Sequence, residues 1–235
     1  MEDAERKAKK LLRLPALPNW VRNNRRRVDE TVFELRRFLS NPPRHSLAKV
    51  NSLCARIACG EISDADALAE VEVLGNPIAR QAGREILPAF CRFLRDATIE
   101  GVPDLAGFTI TYPIGKAPDG TTLSIPISPT FIGIQGDRLV PVFLISWAHL
   151  SFNDYQKSLI SSVISDAVLS HQDFIGSDAL VLALPRIGRE RMRYERLWSV
   201  SDYATLDGEA LSSQFKTYST AVAHVFEELR TGAET

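Results

Sequence analysis

Ser124 to Val168 reads SIPISPTFIGIQGDRLVPVFLISWAHLSFNDYQKSLISSVISDAV, the densest apolar segment of the chain. Two apolar runs meet at the turn Gln135-Gly136-Asp137-Arg138, which predicts a hairpin. Leu139 to Trp147 is almost continuously apolar, the pattern of a strand buried on both faces. An amphipathic helix follows, with Ser151 as its cap and Asp154 three residues on. Its face is Phe152, Tyr155, Leu159, Ile160, Val163, Ile164, Ala167 and Val168.

Upstream the periodicity is helical. Val28, Val32, Leu35, Phe38 and Leu39 recur at helical steps, and Asn41-Pro42-Pro43 ends that helix because proline cannot continue the ladder. Ser46 caps a helix carrying Leu47, Val50, Leu53, Cys54 and Ile57, and Gly60 supplies its left-handed stop. Ser63 and Asp64 cap a third helix, to about Leu74. A fourth runs from Pro77 to about Asp96, with Ile78, Ile86, Leu87, Phe90 and Leu94 as its stripe and a kink or split expected at Pro88.

The period changes near Gly101. Phe108 to Tyr112 reads as a strand, Ala117-Pro-Asp-Gly120 as a turn, and Thr121 to Ile134 as one extended run. Pro126 and Pro129 remove ladder donors and point to an edge or a bulge. Ala179 to Leu184 is a short buried strand, Glu195 to Val200 another, and Asp207 caps a last helix with Leu211, Phe215, Tyr218, Val222, Val225, Phe226 and Leu229 on one face. The fold class that results is α+β: an all-helical basic N-terminal region, 1–97, and a core, 98–235, of mixed sheet flanked by helices with a C-terminal helix.

Composition narrows the setting. The 235 residues are 45% hydrophobic and 24% charged, enough to bury a core without staples. Three cysteines, Cys54, Cys59 and Cys91, cannot form a complete disulfide framework and read as buried thiols. No apolar run approaches the roughly 20 residues that span a bilayer, and Pro15 and Pro18 break the N-terminal segment. The expectation is a cytoplasmic protein of bacterial type with no membrane partner.

Charge is uneven. The net charge is −1, but residues 1–44 carry twelve Lys/Arg against six acids, +6, leaving −7 for the remainder. Such asymmetry marks a nucleic-acid or partner-binding arm, or a solvated helical face. A second cluster, Arg186 to Arg196 within PRIGRERMRYER, is net +3. Arg189, Arg191 and Arg193 alternate, so an extended segment puts them on one face. The candidate nucleic-acid contacts are Arg22, Arg25, Arg26, Arg27, Arg186, Arg189, Arg191 and Arg193, with Tyr194 and Trp198 as stacking surfaces. Trp147 and Trp198 end apolar runs and read as core, whereas Trp20 with Leu11, Leu12, Leu14 and Leu17 reads as a docking peptide for another subunit. His149, at the strand-to-helix junction, has no acidic or nucleophilic partner in sequence and reads as a capping or packing residue. No HExxH, GxSxG, Walker or GxGxxG pattern occurs.

From residue 77 the order of helix, three strands, helix and strand resembles the core of the PD-(D/E)XK nuclease superfamily. That family places an acid after a proline on the second strand, and an acid and a lysine one residue apart on the third. Here Pro129 is followed by Thr130, and Val142 to Trp147 contains no Asp, Glu or Lys. Gln156 and Lys157 fall where some members place polar helpers. The resemblance implies a degenerate, non-cleaving version with no cofactor, no metal ligands and no catalytic residue. The leading expectation is therefore a non-enzymatic binding or assembly protein with a protein partner or self-association. A nucleic-acid-binding module using the arginine clusters is the second. A divalent-metal nuclease with displaced acids, such as Asp104, Asp119 or Asp137, is the third.

Overall fold

A computed structural model describes residues 2–41, 46–150, 152–188 and 191–232. Its centre is β5 (Arg138–Ile145), the middle strand of a five-stranded sheet. The strands lie in the order β1 (Glu100–Gly101), β4 (Phe131–Gln135), β5, β6 (Leu180–Ala183), β7 (Arg196–Ser199). Neighbours are antiparallel except β5 and β6, which run parallel with Val142 opposite Leu180 and Ile145 opposite Ala183. The parallel pair is joined by α7 (Asp154–Ile164), as a crossover requires.

The apolar run of β5 is buried on both faces. Phe143 and Ile145 point into one core with Ile132, Val181, Ala183 and Trp198, whereas Val142 and Leu144 point into the other with Phe131, Leu182 and Leu184. The second core is closed by α4 (Ala48–Ala58), α5 (Asp64–Glu72) and α6 (Pro77–Ala97). The first is closed by α7, by α8 (Gly208–Thr231), and by α1 (Glu2–Leu12), α2 (Leu17–Asn23) and α3 (Val28–Ser40). Residues 1–97 therefore supply helices to both sides of the sheet and share its cores. The α+β class stands.

Local signals hold where they are local. Ser63 Oγ accepts from Asp66 N–H at 3.1 Å and Asp207 Oδ1 from Ala210 N–H at 2.7 Å. Gly60, at φ 69°, closes α4 with Gly60 N–H to Ile57 O and Glu61 N–H to Arg56 O, a Schellman pair. At α4 the N-cap position is Leu47, with no side-chain cap, and Ser46 one residue earlier accepts from Ala48 N–H at 3.2 Å. At α7 the cap is Asn153, in a reciprocal capping box with Gln156; Ser151 lies outside the described residues, as do Pro42, Pro43 and Arg189.

Four expectations change. Pro88 neither splits nor ends α6, which runs unbroken for 21 residues. Pro88 is exposed, and so is Arg84, whose carbonyl loses the bond, so the ladder is interrupted on the solvent side of the helix. Ile78 belongs to no stripe, being 51% exposed. The run Thr121–Ile134 divides at Ser128-Pro129 into β3 (Thr122–Ile127) and β4, which belong to different sheets. The first pairs with β2 (Ile110–Lys116) in a two-stranded ribbon, where Pro126 faces an open edge. Finally, Leu11, Leu14, Leu17 and Trp20 do not form a docking peptide. Trp20 is fully buried, its ring 5.5 Å from that of Tyr218 and 5.8 Å from that of Phe215 on α8.

Candidate functional site

In a sheet with parallel strands, the carboxyl ends of those strands open outward and leave a crevice. The carboxyl ends of β5 and β6 meet here at Ser146–Ala148 and Leu184–Arg186, and both arginine clusters reach the same three-residue exit of β5. Arg186 N–H bonds to Ala148 O at 2.9 Å. Arg193 Nη1 bonds to Ser146 O at 3.3 Å and to Leu184 O at 2.9 Å. From the other side, the Arg22 guanidinium lies 5.3 Å over the Trp147 ring.

The 186–193 side is held by one carboxylate. Glu85, on the sheet-facing side of α6, is 4% exposed at its side chain. It accepts from Arg186 Nε at 2.8 Å and Nη2 at 2.7 Å, from Arg193 Nε at 3.0 Å, and from Gln81 Nε2 at 3.0 Å. Burial alone pushes the Glu85 carboxyl up, and the bonds from Arg186, Gln81 and Arg193 more than reverse that, holding it below its ordinary value. Burial also presses the proton affinity of Arg193 down, but a guanidinium stays charged in a protein. The network therefore places three charges where the arm leaves the sheet, and the carboxylate is fully occupied by its donors.

This arrangement reassigns Arg193. Its guanidinium is 2% exposed and ties the arm to α6 and β5, so it is not part of a surface row. Among its described residues the segment is not a regular strand: Arg186 and Arg193 form an isolated bridge and β7 begins only at Arg196. Alternate spacing therefore does not put Arg193 on the face of Arg191, which is exposed. Arg186 is largely committed to Glu85.

The N-terminal arginines sort similarly. Arg25 is spent within the chain, on Glu34 at 2.8 Å and on the carbonyls of Arg22 and Asn24. Arg27 pairs with Asp29, both well exposed, a pair worth little in water. Arg22 and Arg26 meet no carboxylate among the described residues. Arg22 rests on Trp147, and Arg26 lies 4.6 Å over the Tyr155 ring. Each contact is worth about 0.5–1 kcal/mol at an exposed site and fixes where the charge points. Phe152 stands edge-on to Trp147 at 5.7 Å, so aromatic rings follow the chain from 147 to 155 beneath the two guanidinium groups.

The loop that presents them is itself pinned. Gln156 Nε2 bonds to Val21 O at 2.9 Å, Gln214 Nε2 to Arg25 O at 2.7 Å and to Asn24 Oδ1, and Tyr155 Oη–H to Gln214 Oε1. Gln156 is therefore an anchor for α2. Lys157 is occupied by the Tyr203 hydroxyl at 2.8 Å and by Asp154. His149 is exposed at the β5 exit.

Between α2, α4, the ribbon and β5 lies a cleft of about 160 Å³ whose polar lining is Asn19, Asn51, Ser128, Thr130 and Ser146, with Trp147 at its wall. Among the described residues no ionisable side chain lines it. These residues come from separate elements and form no sequence motif; only Pro129-Thr130 and the end of Val142–Trp147 are marked in the sequence by the order of elements. Among the described residues no group of three His, Cys, Asp or Glu is placed to hold a metal ion. Asp137 precedes β5 at its opposite end, nine residues or about 30 Å from Ser146. Asp119 is occupied as a turn former, accepting from Thr121 N–H.

Compared with protein-family models, with curated proteins and with solved structures, the chain matches none of them. Among the described residues no helix is long and apolar enough to cross a membrane.

Proposed function

We propose that this is a non-enzymatic binding protein on a nuclease-like core, and that it binds a nucleic-acid strand at the carboxyl end of β5. The observation that carries the reading is the chemistry of that crevice. Arg22 and Arg26 sit above aromatic rings beside it, Arg191 is exposed on the arm that follows β6, and the buried carboxylate of Glu85 is neutralised by two guanidinium groups. Cations with stacking surfaces and no acid to hold a metal favour binding a phosphate backbone without cutting it. The order α6, β1, β4, β5, α7, β6, with the ribbon inserted after β1, supports the likeness to the PD-(D/E)XK core; its catalytic positions are filled by Thr130 and by apolar residues.

The test is fluorescence anisotropy with a labelled 20-nucleotide thymidine strand at 50 mM salt, for the wild type and for Arg22→Ala/Arg26→Ala. Weaker binding by the double variant with an unchanged melting temperature supports the reading. Equal binding by both refutes the assignment of these arginines.

A second reading, a protein partner or self-association, is favoured by the outer side of β7. That strand ends the sheet and carries Leu197, 47% exposed, and the arm that leads into it carries Ile187 and Met192, 49% and 60% exposed. Light scattering after size-exclusion chromatography, with Leu197→Lys as the control, separates a monomer from an edge-paired assembly.

A further inference from the structure

The sheet stops at β7, and the alternation of its backbone fixes which groups that edge leaves open. Val200 N–H bonds to Ala179 O at 2.9 Å and Tyr194 N–H to Pro185 O at 3.0 Å, in register with Trp198 opposite Val181 and Arg196 opposite Ala183. In an antiparallel ladder every second residue turns its N–H and C=O toward the same neighbour. Residues 194, 196, 198 and 200 therefore face β6, and Arg193, Glu195, Leu197 and Ser199 turn their backbone outward. The ends of this row are closed. Arg193 O accepts from Arg92 Nη2 at 3.3 Å, and Ser199 N–H donates to Asp202 Oδ2 at 2.8 Å. Between them the backbones of Glu195 and Leu197 have no partner among the described residues.

Two N–H and two C=O groups in alternation match another peptide backbone, which carries both. Phosphate oxygens only accept, and a nucleic-acid backbone would leave the two carbonyls unmet. A second copy of the chain meets an obstacle. The antiparallel register that joins Glu195 of each copy to Leu197 of the other makes all four bonds. It also sets Arg196 directly opposite its own twin, with Cα atoms about 4.5 Å apart, and like charges so placed destabilise the pair. Centring the pair on Leu197 instead brings Glu195 opposite Ser199, whose N–H is already spent on Asp202. Arg196 is exposed and meets no carboxylate among the described residues, so the position opposite it favours an acid.

We infer that the outer edge of β7 receives an extended peptide segment of another protein, with an acidic residue opposite Arg196 and an apolar residue opposite Leu197, which is 47% exposed on the other face of the strand. The inference rests on the reading of this edge as a protein contact and narrows it to one partner chemistry. In such a pairing the main chain supplies affinity and the alternate side chains supply selection.

Anisotropy of two labelled peptides tests it: Thr-Val-Glu-Val-Thr and a twin with lysine at the centre, each against the wild type, Arg196→Glu and Leu197→Pro. The glutamate peptide should bind saturably and about fivefold or more tighter than the lysine peptide, with the order reversed in Arg196→Glu. Leu197→Pro should abolish binding at an unchanged melting temperature, because proline there removes an outward N–H and no bond to β6. Should Leu197→Pro fold poorly, the glutamate peptide N-methylated at both valines takes its place. Loss of binding then supports strand pairing, and unchanged binding overturns it. If both peptides bind alike and Arg196→Glu changes nothing, the acidic partner falls and the edge remains a protein contact. If neither peptide binds and light scattering shows a dimer that Leu197→Pro dissolves, the occupant is a second copy; the inference falls and the reading of the edge stands. No peptide binding with no assembly sensitive to Leu197→Pro overturns both.

Discussion

Replacing Glu85 should damage the protein more than any other surface-distant polar change. Glu85→Ala deletes four hydrogen bonds at once, two from Arg186 and one each from Arg193 and Gln81. Arg186 is about a third exposed and can turn to water, but Arg193, at 2%, cannot. The cost is therefore that of one buried guanidinium left without its counter-charge, about 3–5 kcal/mol for breaking a buried pair. The bonds of Arg193 to Ser146 O and Leu184 O keep it toward the lower end of that range. Removing both charges with Glu85→Met/Arg193→Met should recover most of the loss, because two apolar chains replace a desolvated pair at little net cost. Urea unfolding reads this as a lower midpoint at constant slope. A pH series adds a second readout. The folded Glu85 carboxyl lies below its ordinary 4.5, so its stabilisation is complete above about pH 4.5 and is lost as the pH falls through the lower, folded value. The gap between wild type and Glu85→Gln should therefore narrow in acid. A Glu85→Ala variant within about 1 kcal/mol of wild type, with an unchanged slope, would refute the view that this network holds the arm.

Other outcomes follow from the same contacts. Trp20→Ala should cost about 3–5 kcal/mol, as a fully buried indole packed between two rings of α8, and calorimetry would show it as a lower melting temperature. Gln214→Leu leaves Asn24 Oδ1 and the Tyr155 hydroxyl without the partner shown for them and the Arg25 carbonyl with Thr31 Oγ1 alone, at 3.3 Å, a loss of about 1–3 kcal/mol. Because the same side chain fixes the loop bearing Arg26, strand affinity in anisotropy should fall with it. Burial pushes the Cys91 thiol up to about 12 and the Cys54 thiol higher still, whereas Cys59 is half-buried. A thiol-specific disulfide reagent at pH 8 should label Cys59 in the native protein and reach the other two only on unfolding.

Most of what is local in this fold is written locally. The caps at Ser63 and Asp207 and the stop at Gly60 depend on residues within one helical turn, and β5 declares its double burial by the unbroken apolar run from Leu139 to Ile145. Partners far away in sequence are not written there. Thr121–Ile134 shows its β-branched character but not that Ile127 and Phe131 pair in different sheets. Trp20 looks like an arm residue because Tyr218, which buries it, lies almost two hundred positions on. Arg193 looks like one of three alternating surface charges because Glu85, 108 residues earlier, cannot be recognised as its partner from either segment alone. The arginines that remain exposed are indistinguishable in sequence from those that are paired. The cleft draws on separate elements and leaves no pattern that spacing could reveal.

The most direct test of binding without cleavage is the salt dependence of strand affinity, followed with manganese present. Three phosphate contacts, from Arg22, Arg26 and Arg191, predict a slope of log affinity on log salt near −2, at about −0.7 per contact for a single strand. That is a fall of roughly 18-fold between 50 and 200 mM. Arg22→Ala/Arg26→Ala should flatten the slope to about −0.7, or a fall of about threefold, and the labelled strand should remain full length throughout. A slope near zero for the wild type, or a strand shortened by manganese and protected by chelation, would contradict the account.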